Sequence, residues 1–217
     1  MPDATTLPIV VSPDTARANR VPPGQVKTRK YTEYTAHERP DFDPATWRFT
    51  VDADFLETPA ISWTWAEFSS LPRIRVKADF HCVTRWSVLE NLWEGVPTRE
   101  LLAHIRPSER AKFVMVGCSC GYTTNLPVSE FFGEDCLFAL KLDGEALPLP
   151  MGYPMRLIVP RLYAWKSAKW ANSLTFMEID SPGFWEEWRH GGYHMLGDPW
   201  TEQRHRGGYG GAMGDML

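Results

Sequence analysis

Ile74-Arg75-Val76-Lys77-Ala78-Asp79-Phe80-His81-Cys82-Val83-Thr84-Arg85-Trp86-Ser87 is the stretch on which the architecture hinges. Ile74, Val76, Ala78, Phe80 and Cys82 alternate with charged and polar residues, the period-two signature of a strand with one buried face. Cys82 continues the apolar face at the strand's end, where a side chain can point into a cleft beyond the sheet. Alone, it reads in two ways: as an ordinary buried cysteine, since free cysteine is among the most buried residue types, or as a thiolate ligand to a metal.

Outward from this strand, Trp47, Phe49 and Val51 alternate as a second strand. Ser62 or Thr64 caps a short helix through Trp65, Phe68 and Leu71 that Pro72 ends. Thr98 is expected to cap a helix with Leu101, Leu102 and Ile105, closed by Pro107. Residues 113–116 form a continuous apolar run, expected as a buried strand, followed by a loop over 117–122 and a short helical piece over 128–132. Further strands are expected at 136–142, 156–159 and 174–179, with a hairpin turn at Asp143-Gly144. Many strands and few short helices, without regular alternation, indicate an α+β fold with mixed sheets.

The length of 217 residues suits one domain with extensions. Residues 1–20 are expected to be a flexible leader, 21–200 the folded domain and 201–217 a Gly-rich tail. Val21-Pro22-Pro23-Gly24-Gln25 begins either more leader or an arm lying over the domain. A net charge of −4 argues against a nucleic-acid binder. Four cysteines are too few for a disulfide scaffold. No signal peptide, twin-arginine export motif or membrane-length apolar run is visible, so the expectation is a cytoplasmic protein with no membrane or nucleic-acid partner.

Lys166-Ser167-Ala168-Lys169 places two ammonium groups and a hydroxyl within four residues, a set that can hold a phosphate. Arg156 and Arg161 lie upstream and add to the positive field. A solvated basic loop is the alternative, but Tyr163, Trp165 and Trp170 interleave with the lysines. Cys118-Ser119-Cys120 has no partner pair for a zinc site. HExxH, Walker, Rossmann and GxSxG motifs are absent.

Taken in order, His81-Cys82-Val83-Thr84-Arg85-Trp86-Ser87, Trp93-Glu94-Gly95-Val96, Gly121-Tyr122-Thr123-Thr124-Asn125-Leu126-Pro127 and Arg156-Leu157-Ile158-Val159-Pro160-Arg161-Leu162-Tyr163-Ala164-Trp165-Lys166-Ser167-Ala168-Lys169-Trp170 resemble the sulfite-oxidase-like, molybdopterin-dependent oxidoreductases of the small bacterial type. Pro22-Pro23-Gly24-Gln25, residues 47–72, Pro182-Gly183-Phe184-Trp185-Glu186 and Gly197-Asp198-Pro199-Trp200 extend the resemblance. It implies a sulfite-oxidase-type molybdopterin-binding fold and a molybdenum–molybdopterin cofactor, with Cys82 as the metal ligand. It implies His81, Cys82, Thr84, Arg85, Arg156, Lys166, Ser167 and Lys169 as cofactor-binding residues, the lysine segment holding the pterin and its phosphate. Tyr122 is implied as the substrate-pocket tyrosine and Arg85 as the stabiliser of an oxyanion. The implied reaction is oxygen-atom transfer on a small oxyanion or an S- or N-oxide. With no haem or dimerisation domain in a chain of this length, a monomer is expected, with electrons exchanged through a separate donor or acceptor protein.

This chain departs from the pattern at Cys120, where such relatives carry aspartate, and at Met151, where they carry histidine. Those two departures keep a second expectation open, a non-catalytic cofactor-binding or protein-interaction member of the same fold. A third reading, weaker in motif support, is a structural domain with a Trp-rich docking surface.

Overall fold

The computed structural model describes residues 7–206. In chain order they form β1 (Ile9–Val11), β2 (Val26–Thr28), β3 (Arg48–Val51), β4 (Ile61–Thr64), α1 (Trp65–Ser70), β5 (Ile74–Cys82), β6 (Trp86–Pro97), β7 (Phe113–Cys118), β8 (Thr123–Pro127), α2 (Val128–Phe131), β9 (Leu137–Leu142), β10 (Glu145–Ala146), β11 (Arg156–Ile158) and β12 (Ala171–Met177), joined by short 3-10 turns and loops. Among these residues no helix is long and apolar enough to cross a membrane.

The strands make two mixed sheets, as the α+β expectation requires. One runs β1-β5-β6-β9-β10, with β2 added to β6 and β11 to β9; the other runs β4-β3-β12-β7-β8. The two sheets pack around the larger core. Phe49, Val51, Phe68, Val114, Val116 and Phe176 meet Val96, Phe138, Leu140 and Leu157 there. Leu137 and Ala139, one residue out of phase on β9, turn to the opposite face and join Val76, Ala78, Phe80, Trp93 and Ile158 in a smaller core. The larger sheet is therefore buried on both faces at its centre, which a period-two side-chain pattern permits only where both alternating sets are apolar.

β5 is the strand foreseen from the alternation, but its second face is buried too: Asp79 and His81 have 2% and 1% exposure. Arg20 satisfies Asp79 with two hydrogen bonds, Nε to Oδ2 at 2.9 Å and Nη2 to Oδ1 at 2.6 Å. α1 starts at Thr64 with a capping box, Thr64 Oγ1 accepting from Glu67 N at 3.3 Å and Glu67 Oε2 accepting from Thr64 N at 2.7 Å. Ser62 lies in β4 and plays no capping part.

β6, a strand of 12 residues, is the element the sequence concealed. Its Glu90, Asn91, Glu94 and Gly95 interrupt any simple alternation. Each is accommodated by tertiary contacts. Asn91 Nδ2 donates to Ala78 O and Val88 O, and Glu94 lies between Arg73 and Lys141. At Gly95 a β-bulge brings β6 against β9 so closely that a Cβ would sit 1.9 Å from Phe138 O.

Several expectations need correction. The leader assigned to 1–20 is folded over 9–16. Ile9–Val11 pairs in parallel with β5, and the 3-10 turn Pro13–Ala16 buries Asp14; residues 1–6 lie outside the described residues. The tail assigned to 201–217 is folded over 201–206, where His205 bridges Tyr193, and 207–217 lie outside the described residues. Thr98 caps no α-helix. It begins a 3-10 turn, Thr98–Ala103, and its hydroxyl donates to Phe131 O and Cys136 O, tying that turn to the end of α2. Gly117 and Cys118, expected in a loop, finish β7, and the strand expected at 174–179 runs earlier, as Ala171–Met177.

Candidate functional site

β5 and β6 form a hairpin in which Cys82 pairs with Trp86. Between them stand only Val83, Thr84 and Arg85. Arg85 N donates to Cys82 O at 3.0 Å, and Arg85 takes a left-handed φ of 73°. A three-residue hairpin needs one residue in that conformation, so the turn itself accounts for Arg85. The consequence is that Cys82 is the last residue of its strand and projects into a cleft of about 150 Å³. Its Sγ lies 3.1 Å from Thr84 Oγ1. Burial pushes the Cys82 thiol up, opposed by the Thr84 hydroxyl and by the Arg156 and Arg204 cations.

The cleft is walled by the arm over residues 31–37, the Cys82 turn with Phe80 and Trp86, Cys120 and Tyr122 after β7, Met151 and Arg156, the segment 164–170 apart from Lys166, and Trp185 with Tyr193. The arm option for the chain after Val21 is the one realised. β2 pairs in parallel with β6, and Tyr31 packs edge-on against Phe80 and Trp86 at 5.8 and 6.0 Å between ring centroids. Trp165, Tyr193, Trp185 and Tyr34 continue an aromatic wall, with successive centroids 4.9, 5.5 and 5.7 Å apart.

Arg156, Ser167, Lys169, Thr84 and Tyr122 all line the cleft with Cys82. Arg156 is 3% exposed, lies over the Phe80 ring at 5.0 Å, and donates from Nη1 to Met151 O at 3.1 Å and from Nη2 to Ser167 O at 2.6 Å. Burial lowers its pKa to about 10. Lys169 Nζ donates to Tyr34 O at 2.9 Å, tying the arm to the opposite wall, and burial, with Arg156 nearby, lowers its pKa to about 8. Ser167 Oγ accepts from Val159 N at 2.9 Å. Tyr122 Oη donates to Trp165 O at 2.8 Å, and burial holds its phenol well above the ordinary range.

Three expected site residues are placed elsewhere. Lys166 is fully buried and does not line the cleft. Its Nζ donates to Asn125 O and Asn125 Oδ1, each at 2.8 Å, and to Glu186 Oε1, which uses all three of its donors. It is an internal clamp and not a phosphate ligand. Arg85 is exposed at the hairpin tip and is not part of the cleft wall. His81 points to the other face of β5, where its Nδ1 lies 2.9 Å from Ser87 Oγ and its ring meets Trp200 edge-on. Burial lowers its pKa to about 4.

Sequence reasoning missed the lining role of the 31–37 arm, the buried carboxylate of Glu186, and Gln25, whose Nε2 donates to Cys82 O at 3.0 Å. An acid set directly after Phe184-Trp185 was the available signal for Glu186.

A molybdopterin group fits the donors present. A soft thiolate suits molybdenum, and one side-chain thiol suffices where an organic dithiolene supplies other ligands. Arg156 Nε, Trp86 Nε1 and Trp170 Nε1, all from cleft-lining residues, are buried without a hydrogen-bond partner. Buried donors are rarely left unpaired, so these three are available to a heteroatom-rich ligand.

The comparisons with known proteins agree. The family model described as an oxidoreductase molybdopterin binding domain matches residues 36–185. The chain is 37% identical over 189 residues to the uncharacterized oxidoreductase YuiH of Bacillus subtilis, covering 87% of this chain and 93% of that protein. It is 28% identical over 157 residues to the protein-methionine-sulfoxide reductase catalytic subunit MsrP of Burkholderia mallei, covering 65% of this chain but only 47% of that subunit. In fold it is similar to the sulfane dehydrogenase SoxCD of Paracoccus pantotrophus, with a TM-score of 0.60 at 19% identity, over 70% of this chain and 43% of that one. A mixed-sheet fold, a strand-end cysteine in an aromatic cleft and a family match over most of the chain lead to one assignment: the chain belongs to the sulfite-oxidase-like oxidoreductases with a molybdopterin-binding domain.

Proposed function

We propose that this protein is a molybdenum-cofactor-dependent oxidoreductase acting by oxygen-atom transfer on a neutral S- or N-oxide or its reduced form. The observation that carries the reading is the Cys82 thiol in an aromatic cleft whose lining residues also carry unpartnered buried donors. When bound, the cofactor supplies the two-electron redox chemistry. Cys82 would hold the metal; Arg156, Trp86 and Trp170 would meet the pterin heteroatoms, and Ser167 with Lys169 the phosphate.

The remaining work falls to the chain. The aromatic wall excludes water and offers flat surfaces to an apolar substrate body. Tyr122, kept protonated by burial, gives its hydroxyl hydrogen to Trp165 O, so toward a substrate its oxygen would act as an acceptor. A neutral oxide is favoured over an oxyanion because Arg85, the cation expected to meet an anion, stands in solvent outside the cleft wall. The relative named as a methionine-sulfoxide reductase subunit makes a sulfoxide the first substrate to try. Electrons would pass through a separate protein.

The test is molybdenum and pterin content of protein purified from a host that makes the cofactor, followed by turnover of sulfite, methionine sulfoxide and an aromatic N-oxide with an artificial electron donor or acceptor. Metal-free protein rules the reading out, and turnover of sulfite alone rules out the neutral-oxide preference. Cys120 and Met151 both line the cleft and favour a second reading, a cofactor-binding member without turnover. Bound cofactor with no activity on any of these substrates selects it.

A further inference from the structure

The turn that carries Cys82 is held from both ends of the chain. Gln25 Nε2, on the N-terminal arm, donates to Cys82 O at 3.0 Å, and Arg204 Nη1, close to the last described residues, donates to Val83 O. Neither Gln25 nor Arg204 lies within the matched span 36–185. The two segments also meet each other. Gly24 takes a φ of 67°, and a Cβ there would lie 3.2 Å from Glu202 Oε1 and 3.7 Å from Arg204 Nη2.

Each of the two side chains is set by its own anchors. Gln25 Oε1 accepts from Ser87 Oγ, which also lies 2.9 Å from His81 Nδ1, and Val26 N donates to Arg85 O at 2.9 Å. Arg204 is fixed by the backbone around it: Gln203 N donates to Asp198 O and Arg206 N to Gly192 O, both at 2.9 Å, and its guanidinium lies 5.1 Å from the Tyr163 ring centroid. The hairpin tip is otherwise a three-residue turn with an exposed threonine and arginine. Without the clasp, the carbonyls of Cys82 and Val83 would have the turn's own Arg85 N–H and water as partners, and the thiol's direction would be set by one turn hydrogen bond.

We infer that Gln25 and Arg204 are positioning residues for Cys82, a clasp from the two ends of the chain that fixes the turn so that the thiol points into the cleft. The inference rests on the proposed role of Cys82 as metal ligand, and it deepens that role by assigning the groups that orient the ligand.

The test uses the full chain produced without cofactor, with iodoacetamide as probe and peptide mass spectrometry to read alkylation of Cys82 and Cys120 separately. Both thiols are half-buried and line the same cleft, Cys82 at the end of β5 and Cys120 in the turn between β7 and β8 of the other sheet, so Cys120 reports general loosening. Gln25→Met and Arg204→Ala each raise the Cys82 alkylation rate about fivefold, the change one lost hydrogen bond makes in a local opening equilibrium, with Cys120 unaltered. Arg204→Lys, which can still reach a carbonyl, returns the rate toward wild type. In protein made with cofactor, the same two variants lose molybdenum faster on dialysis. Unchanged Cys82 rates in both variants, or Cys82 and Cys120 rising together, overturn the clasp; a rise in one variant alone removes the other residue from it. Wild-type protein that takes up no molybdenum defeats the cofactor reading instead, and the alkylation rates decide the clasp independently of that result.

Discussion

Lys166 and Glu186 form an ion pair in which neither side chain has any solvent exposure. Glu186 Oε1 also accepts from Trp165 Nε1 at 2.9 Å and Thr124 Oγ1 at 3.1 Å. This one carboxylate therefore joins β8, the 3-10 turn that bears Trp165, and the C-terminal Trp-rich segment, and it backs the wall to which Tyr122 is bonded. A buried charge left without its partner is strongly destabilising.

Lys166→Met and Glu186→Leu each lower unfolding free energy by about 3–5 kcal/mol in urea titrations, and the double variant is more stable than either single one. If Lys166 were instead a phosphate ligand, Lys166→Met would keep its stability and lose pterin, an outcome that would refute the clamp.

His81 carries a pH signature. Its folded pKa of about 4 lies below the ordinary 6.5, so between those values the unfolded chain binds a proton that the folded chain refuses. The protein accordingly loses stability as pH falls from 6.5 toward 4, by about 2–3 kcal/mol for this one group, and nothing above pH 6.5. Chemical denaturation at pH 7.5 and pH 5 should show a drop in wild type that His81→Asn lacks; equal drops in both proteins would assign the acid sensitivity to other groups.

Arg85 is predicted to be dispensable for chemistry. Arg85→Gly suits the left-handed φ of 73° and should change stability by no more than about 1 kcal/mol, with cofactor content and turnover kept. A large loss of turnover at preserved cofactor content would return Arg85 to the catalytic set. Cys82→Ser, by contrast, should remove molybdenum, read by elemental analysis.

Gly95→Ala tests the bulge between β6 and β9. The added methyl would overlap Phe138 O, so β6 and β9 have to separate or the variant fails to fold; a loss above about 3 kcal/mol is expected from thermal or urea unfolding. Near-wild-type stability would mean that the bulge relaxes without cost.

What was legible in the sequence was local. The alternation of β5, a helix cap at Ser62 or Thr64 and the Asp143-Gly144 turn depend on neighbours a few residues apart, and all three are present, the cap at Thr64. The cysteine at the end of β5 followed from the same periodicity. β6 was not legible, because Asn91 and Glu94 are paid for by partners on other strands and Gly95 by the close approach of β9.

The division is sharpest at the two lysines of the 166–169 cluster. Composition made both phosphate candidates, since three residues of spacing say nothing about direction in a 3-10 turn. The tertiary structure sends Lys169 to the cleft and Lys166 to a carboxylate 20 residues later in the chain. The same holds for Arg85, whose charge suggested a site and whose backbone conformation put it in solvent. By itself the sequence determined the strand, the thiol at its end and the family. Only the packing decided which charges face the cleft, because a buried charge goes where a counter-charge and hydrogen-bond partners satisfy it, and those partners come from distant parts of the chain.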